Sequence, residues 1–268
     1  MPHKYFSIDG TATFVHHTGP STLPDQPPVC DLGQTLLCLH GAGGSLGHFD
    51  DVIQKLHTSH RLIAFDQPGH GRSGQLDSLG SIDRMADFTL AFCDKLGLDG
   101  LVLFGHDMGA AVALCCAQER PELVRALVLC AAGDRFDLPD ALILQARRVS
   151  EGKERRPFDV AAFSKRTSPD VMKRGFMLGV RTDPRATFGD LLACRDWVGA
   201  DALGGIRQPS LVIHGEDDYG WVRERASALT EALQSSRLDV VASAGHQILL
   251  EAPEALAASV GDFLGNLS

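Results

Sequence analysis

Three side chains capable of acid–base or nucleophilic work, Asp107, Asp218 and His246, follow one another along the 268-residue chain. Asp107 lies in the stretch G-H-D-M-G-A, residues 105–110, directly after the apolar run Leu101-Val102-Leu103-Phe104 and ahead of an alanine-rich segment. A sharp turn between two glycines at a strand-to-helix corner holds a nucleophile clear of the backbone, and its usual occupant is serine. A carboxylate there changes the chemistry. Attack on an acyl carbon would give a mixed anhydride, no easier to form than the product. Displacement of a leaving group at saturated carbon gives an ordinary ester instead. A histidine can then activate water to hydrolyse that ester, with backbone N–H groups holding the oxyanion of the tetrahedral intermediate. The competing reading of an isolated aspartate at a helix start is an N-cap.

The partners that this chemistry needs lie downstream. His214-Gly215-Glu216-Asp217-Asp218 follows an apolar run, and Asp218, three residues past the glycine, is taken as the acid, with Asp217 as the alternative. His246, flanked by small residues after the short run Val240-Val241, is taken as the base. The order is nucleophile, acid, base. Upstream, the glycines of His40-Gly41-Ala42-Gly43-Gly44-Ser45 let backbone N–H groups point into a pocket. Ala42 N–H together with Met108 N–H is the expected oxyanion hole; alone, such a loop simply begins a helix. The loop Asp66-Gln67-Pro68-Gly69-His70-Gly71-Arg72-Ser73 reads as backbone geometry without chemistry, and His40 and His106 read as packing residues. Trp197, through its indole N–H, and Tyr219 are the candidate substrate contacts. No metal is expected, since none of the seven cysteines falls in a Cys-x-x-Cys pair, and the triad chemistry requires no cofactor.

The elements that must position these residues are legible as alternating patterns. Thr35–Leu39, Leu62–Phe65, Leu101–Phe104, Ala126–Cys130 and Leu211–Ile213 read as strands. Ile82, Met85, Ala86, Thr89, Phe92, Cys93 and Leu96 recur at helical spacing, and Met108–Gln118 and Pro253–Leu264 read the same way. Short apolar strands separated by helices imply an α/β fold with a mostly parallel sheet flanked by helices. Ligands bind at the carboxyl ends of such strands. Residues 1 to about 33 read as an edge hairpin followed by a loop. The segment from Gly133 to Gly205 has no convincing strand, holds five of the thirteen Phe, and carries 13 Lys and Arg against 11 Asp and Glu. It is expected to be a helical lid (134–205) inserted into a core domain made of 1–133 and 206–268. Its phenylalanines, with several Met and Leu, would give a partly apolar pocket.

A formal charge of −9 argues against nucleic acid or an anionic membrane as partner. No apolar run approaches the roughly 18 residues of a membrane span, and residues 1–5 lack the apolar core of a signal peptide. The cysteines lie mostly in apolar runs, as buried reduced thiols do. A cytoplasmic protein with a small-molecule substrate is expected.

Nearly the whole chain resembles the α/β-hydrolase superfamily: L-H-G-A-G-G, D-Q-P-G-H-G-R-S, G-H-D-M-G, V-I-H-G-E-D-D and A-G-H occur in family order. The resemblance implies Asp107 as nucleophile, Asp218 as acid, His246 as base, an oxyanion hole at Ala42 and Met108, and a lid after the sixth strand. Aspartate at the elbow resembles epoxide hydrolases and the haloalkane and haloacetate dehalogenases. The chain departs from both. Gly43 stands where epoxide hydrolases usually carry proline, and neither tyrosine falls in the lid. Met108 stands where dehalogenases usually carry Trp or Arg. The H-G-A-G-G loop looks more like esterases and C–C bond hydrolases, which use serine. Three readings follow: hydrolysis of an epoxide or carbon–halogen bond through an Asp107 ester; an esterase-, lactonase- or C–C hydrolase/lyase-like enzyme with Asp107 as general base or electrostatic group; and a non-catalytic binder or sensor. A retained acid and base weigh against the third.

Overall fold

A computed structural model describes residues 3–20, 22, 23, 26, 32–199 and 203–267. Parts of the first loop and residues 200–202 of the expected lid therefore lie outside the described residues. Eight strands form one sheet in the order β1-β2-β4-β3-β5-β6-β7-β8. The hairpin β1 (His3–Ile8) and β2 (Thr11–His17) is antiparallel and packs on the edge at β4. From β4 (Arg61–Phe65) through β3 (Thr35–Leu39), β5 (Leu101–His106), β6 (Val124–Cys130), β7 (Ser210–Gly215) and β8 (Ser236–Val241), every pairing is parallel.

Parallel strands covered on both faces must be apolar on both, and the central ones are, while the edge strand β8 (S-R-L-D-V-V) is only partly buried. In β3, Leu37 and Leu39 join one core layer, Leu36 and Cys38 the other. The first layer is completed by α2 (Ile82–Leu96), α3 (Met108–Glu119) and α7 (Gly220–Ala232), the second by α1 (Asp50–Leu56) and α9 (Pro253–Gly265). A fully buried residue such as Phe104 or Leu37 contributes about 1.5–3 kcal/mol of burial, so the layering decides the fold. The helix boundaries follow local chemistry. Ser81 caps α2 by accepting from Arg84 N–H at 3.3 Å, and Gly97 ends it in the left-handed region at φ 59°. α1 and α7 carry no clear sequence signal. The first is seven residues long, and the second buries only Val222, Ala226 and Leu229 among charged neighbours.

Between β6 and β7 the chain leaves the sheet and forms α4 (Asp140–Ser150), α5 (Pro169–Gly179) and α6 (Pro184–Asp196), with an isolated bridge between Arg135 and Val198. Its phenylalanines do not line the cavity above the strand ends. Phe158 packs against Phe163 and Phe176 at 5.7 and 5.8 Å between ring centres, and Phe136 is buried against Trp197. Among the described residues no helix is long and apolar enough to cross a membrane.

Candidate active site

The elbow is built by close approach. A Cβ on Gly109 would stand 2.1 Å from the Leu39 carbonyl oxygen, and one on Gly105 would stand 2.3 Å from that of Gly109. Only glycine lets β3, β5 and the start of α3 converge so tightly. Between them Asp107 takes φ 52°, ψ −118°, a conformation that costs an L-residue about 1–3 kcal/mol and recurs where function requires it. Asp107 occupies the N-cap position of α3, but its side chain makes no capping bond there. Its Oδ2 accepts from Ala42 N–H at 3.0 Å instead. The carboxylate is aimed at the glycine loop, not at its own helix.

Asp107 Oδ1 faces His246 Nε2 at 3.9 Å, beyond hydrogen-bond length. His246 Nδ1–H donates to Asp218 Oδ1 at 3.0 Å, and the Asp218 side chain is completely buried. That bond fixes the tautomer and leaves Nε2 toward Asp107. Burial pulls the His246 pKa down, but the Asp218 charge and hydrogen bond, then the Asp107 charge, outweigh it and raise it to about 9. Asp217, the alternative acid, is engaged elsewhere, accepting from the Ser164 hydroxyl at 2.5 Å. The His246 loop is held by Glu251, which accepts Gly245 N–H at 3.0 Å and Ser164 N–H at 2.8 Å.

Met108, the second expected oxyanion donor, begins α3 beside the carboxylate with its side chain in the core; the hydrogen bond to Oδ2 comes from Ala42. Tyr219 lines the cavity over Asp107 with its ring 5.1 Å from that of His246, and its hydroxyl donates to Asp159 at 2.5 Å. Burial, then Asp159, holds its pKa above the usual phenol value. Trp197 does not reach the cavity. Its ring packs edge-on to Phe136 at 5.8 Å and its side chain meets Cys115. The helix α6 ends just before it and turns it into the core, so the indole N–H faces a thiol and not a leaving group.

The cavity encloses about 270 Å³. Its apolar walls come from Leu138, Leu142, Leu191 and Trp221, and its polar ones include His48, His106 and Asp159. His106 is therefore more than packing: Nε2–H donates to the His246 carbonyl at 2.9 Å, tying elbow to base. Burial and the adjoining His246 charge lower its pKa. Burial holds His48 at about 4, so it is neutral at pH 7.

The loop assigned no chemistry supplies the least expected contact. His70 Nε2 meets Asp190 Oδ2 of α6 at 2.7 Å, both fully buried, and the same oxygen accepts Gly43 N–H at 2.8 Å. Despite desolvation, which opposes both charges, each partner's charge raises the His70 pKa and lowers that of Asp190. The ion pair thus ties α6 to the 66–73 loop, and the Gly43 hydrogen bond to the same oxygen ties it to the loop that carries Ala42.

The family model described as "Alpha/beta hydrolase family" matches residues 36–259. The chain is 28% identical over 246 residues to the 2-hydroxymuconate semialdehyde hydrolase of Pseudomonas sp. strain CF600, covering 87% of each protein. A shorter match, 37% identical over 95 residues, spans 26% of its relative's length. The solved structure of an esterase from Exiguobacterium antarcticum superposes with a TM-score of 0.84 at 23% identity, over 98% of this chain and 99% of that one. An enol-lactonase from Burkholderia xenovorans gives 0.81 at 18% identity, over 98% and 100%. With a continuous family match from β3 to α9, the chain belongs to the alpha/beta hydrolase family.

Proposed function

We propose that this hydrolase breaks an epoxide or carbon–halogen bond through an ester on Asp107. The observation that carries the reading is the contact of Asp107 Oδ2 with Ala42 N–H. In a serine enzyme that donor must be free for the carbonyl oxygen of the substrate. Here the nucleophile's own oxygen fills it, while Oδ1 is unbonded to His246 and keeps its lone pairs. A carboxylate needs no base to deprotonate it, so the 3.9 Å gap suits its role.

In the first stage Oδ1 attacks saturated carbon and the halide, or the epoxide oxygen, leaves with the bonding electron pair. Tyr219 lines the same cavity, and its O–H is the donor that turns from Asp159 toward that leaving atom. In the second, His246 takes a proton from water, and the resulting hydroxide adds to Cγ of Asp107. Negative charge develops on Oδ2, already in place at Ala42 N–H with Met108 N–H beside it. Collapse expels the alkoxide, which takes the imidazolium proton to leave as the alcohol. The acid formed on Asp107 gives its proton to solvent, or to the Tyr219 phenolate left by an epoxide, restoring the carboxylate. Asp218 holds the imidazole tautomer and stabilises the imidazolium. The helices of 134–205 act as the lid that excludes water during the first stage. Chemistry at an acyl carbon would need Asp107 as a base; the occupied Ala42 donor weighs against it.

The pH dependence tests the second stage. The raised pKa of His246, about 9, includes the charge of Asp107. Esterification removes that charge, so the pKa in the intermediate falls below about 9 and the base form is populated above it. In rapid-quench single turnovers with 1-bromoalkanes and terminal epoxides, ester hydrolysis is expected to rise with pH and level off below pH 9. A pH-independent second stage, or turnover of aryl esters with no halide or diol from the other probes, would count against the reading.

A further inference from the structure

The cavity over Asp107 adjoins a second one of about 210 Å³, and the two share Ala42, Leu142, Thr187 and Leu191 as walls. The second is apolar along Ala146, Val149 and Pro184, with one cation, Arg156, in its wall. Arg156 is half-buried, in the link between α4 and α5. Its described partners are all neutral: Nη1 donates to the Gly179 carbonyl, and Nη2 to the Thr182 carbonyl at 2.9 Å and the Thr187 hydroxyl at 3.2 Å. Asp183, whose charge reaches the guanidinium, is itself paired with Arg185 at 3.1 Å. Desolvation lowers the Arg156 pKa from its ordinary value, the direction expected of a cation short of a counter-charge.

Three bonds use three of the five guanidinium N–H groups. They also fix its plane, because Gly179 and Thr182 lie at the end of α5 and Thr187 on α6. Thr187 in turn lies against the glycine loop, where a Cβ on Gly43 would come within 2.8 Å of its hydroxyl. The guanidinium is thus one side chain away from the oxyanion loop, across an apolar space. Both Nη2 hydrogens and one of Nη1 are used, which leaves Nε–H and the second Nη1–H. Burying a cation costs free energy unless an anion meets it, and a carboxylate can take a charge-assisted bond from one of these donors.

We infer that Arg156 is the receptor of a carboxylate subsite, so that the substrate is an aliphatic acid whose chain crosses the apolar cavity and brings a distant carbon to Asp107. This deepens the proposed function and rests on it for the bond that is broken. The binding step does not depend on it, and the test is chosen accordingly.

The probes are hexanoate, octanoate and the corresponding amides, with binding read by calorimetry and by thermal shift on the full chain. The acids are expected to bind and the amides to bind at least about tenfold more weakly, the cost of losing a charge-assisted pair. Arg156→Gln should weaken the acids about ten- to a hundredfold and leave the amides unchanged, while Arg156→Lys should retain part of the preference. Ala146→Trp, which fills the cavity and leaves the Arg156 side chain in the protein, should abolish binding of both and covers the case in which Arg156→Gln misfolds. In Asp107→Asn the acids should still bind. Equal binding of acid and amide, or acid binding unchanged in Arg156→Gln, would overturn the subsite. Binding as expected together with no turnover of 6-bromohexanoate would leave the subsite standing and sink the bond-breaking reading. A kcat/KM for 6-bromohexanoate above that for 1-bromohexane, lost in Arg156→Gln mainly through KM, would support both.

Discussion

Asp107→Asn abolishes turnover, by at least about a thousandfold, while leaving the protein folded. The amide has nearly the shape of the carboxylate, and its oxygen can still accept from Ala42 N–H as Oδ2 does at 3.0 Å. What is lost is the nucleophile. Serine at the same position should not restore the reaction, because an alkoxide attacking saturated carbon would leave a stable ether that His246 cannot hydrolyse. The same variant reports on electrostatics. His246 is raised to about 9, against desolvation, by Asp218 and then by Asp107, so with a neutral amide in place of the second carboxylate its titration should move down. Histidine NMR titration and thermal unfolding check both halves. An Asp107→Asn protein that turns over at near wild-type rate would remove the nucleophile from the account. One that is inactive and also unfolded would leave that role without support from this variant.

Asp190→Ala is expected to be the most destabilising single change near the site. The carboxylate is completely buried and is within 2.7 Å of an equally buried His70. It also accepts Gly43 N–H at 2.8 Å. Removing one member of such a pair leaves an uncompensated buried charge or forces His70 to become neutral, and it strands the Gly43 donor. Losses of this kind run to about 3–5 kcal/mol. Urea denaturation should show a lower midpoint at unchanged slope. Exposed pairs such as Arg195 with Asp196 contribute little by comparison, because water screens them. Since Gly43 adjoins Ala42, kcat should fall in any Asp190→Ala molecules that remain folded. Unchanged stability would mean that His70 and Asp190 are not charged partners.

Both variants show what the sequence made visible and what it did not. The strands of the sheet were legible because a parallel strand buried on both faces has to be an uninterrupted apolar run, as in Leu101–Phe104. The three side chains that converge on the cavity were legible because each follows a strand. Asp107 comes after β5 and Asp218 after β7, both apolar runs, and His246 after β8, where only Val240-Val241 gives a signal. The choice of Asp218 over Asp217 rested on its offset from Gly215, and Asp218 is the residue bonded to His246. Asp190 gave no signal. It sits in an ordinary helix, and its partner lies 120 residues away. Contacts of that range depend on how α6 lies on the glycine loop, which no local pattern encodes. Trp197 and the phenylalanines misled for the opposite reason. Large apolar rings in a segment beside the site suggest a pocket, but their burial is worth most against one another. The smaller Leu138, Leu142 and Leu191 are left to face the cavity. Asp159 and His48, which also line it, stand in short turns with no motif around them.

The central claim is that a covalent bond forms between Asp107 and substrate carbon. His246→Gln removes the base that hydrolyses the ester while leaving Asp107 and Ala42 N–H in place. The measurement is the mass of the peptide containing Asp107 after this variant is incubated with a substrate that the wild type turns over. The account expects that peptide to gain the mass of the substrate less hydrogen halide, or of the whole epoxide, with one equivalent of halide released in the first case. An unmodified peptide, with the substrate shown to be bound, would contradict it.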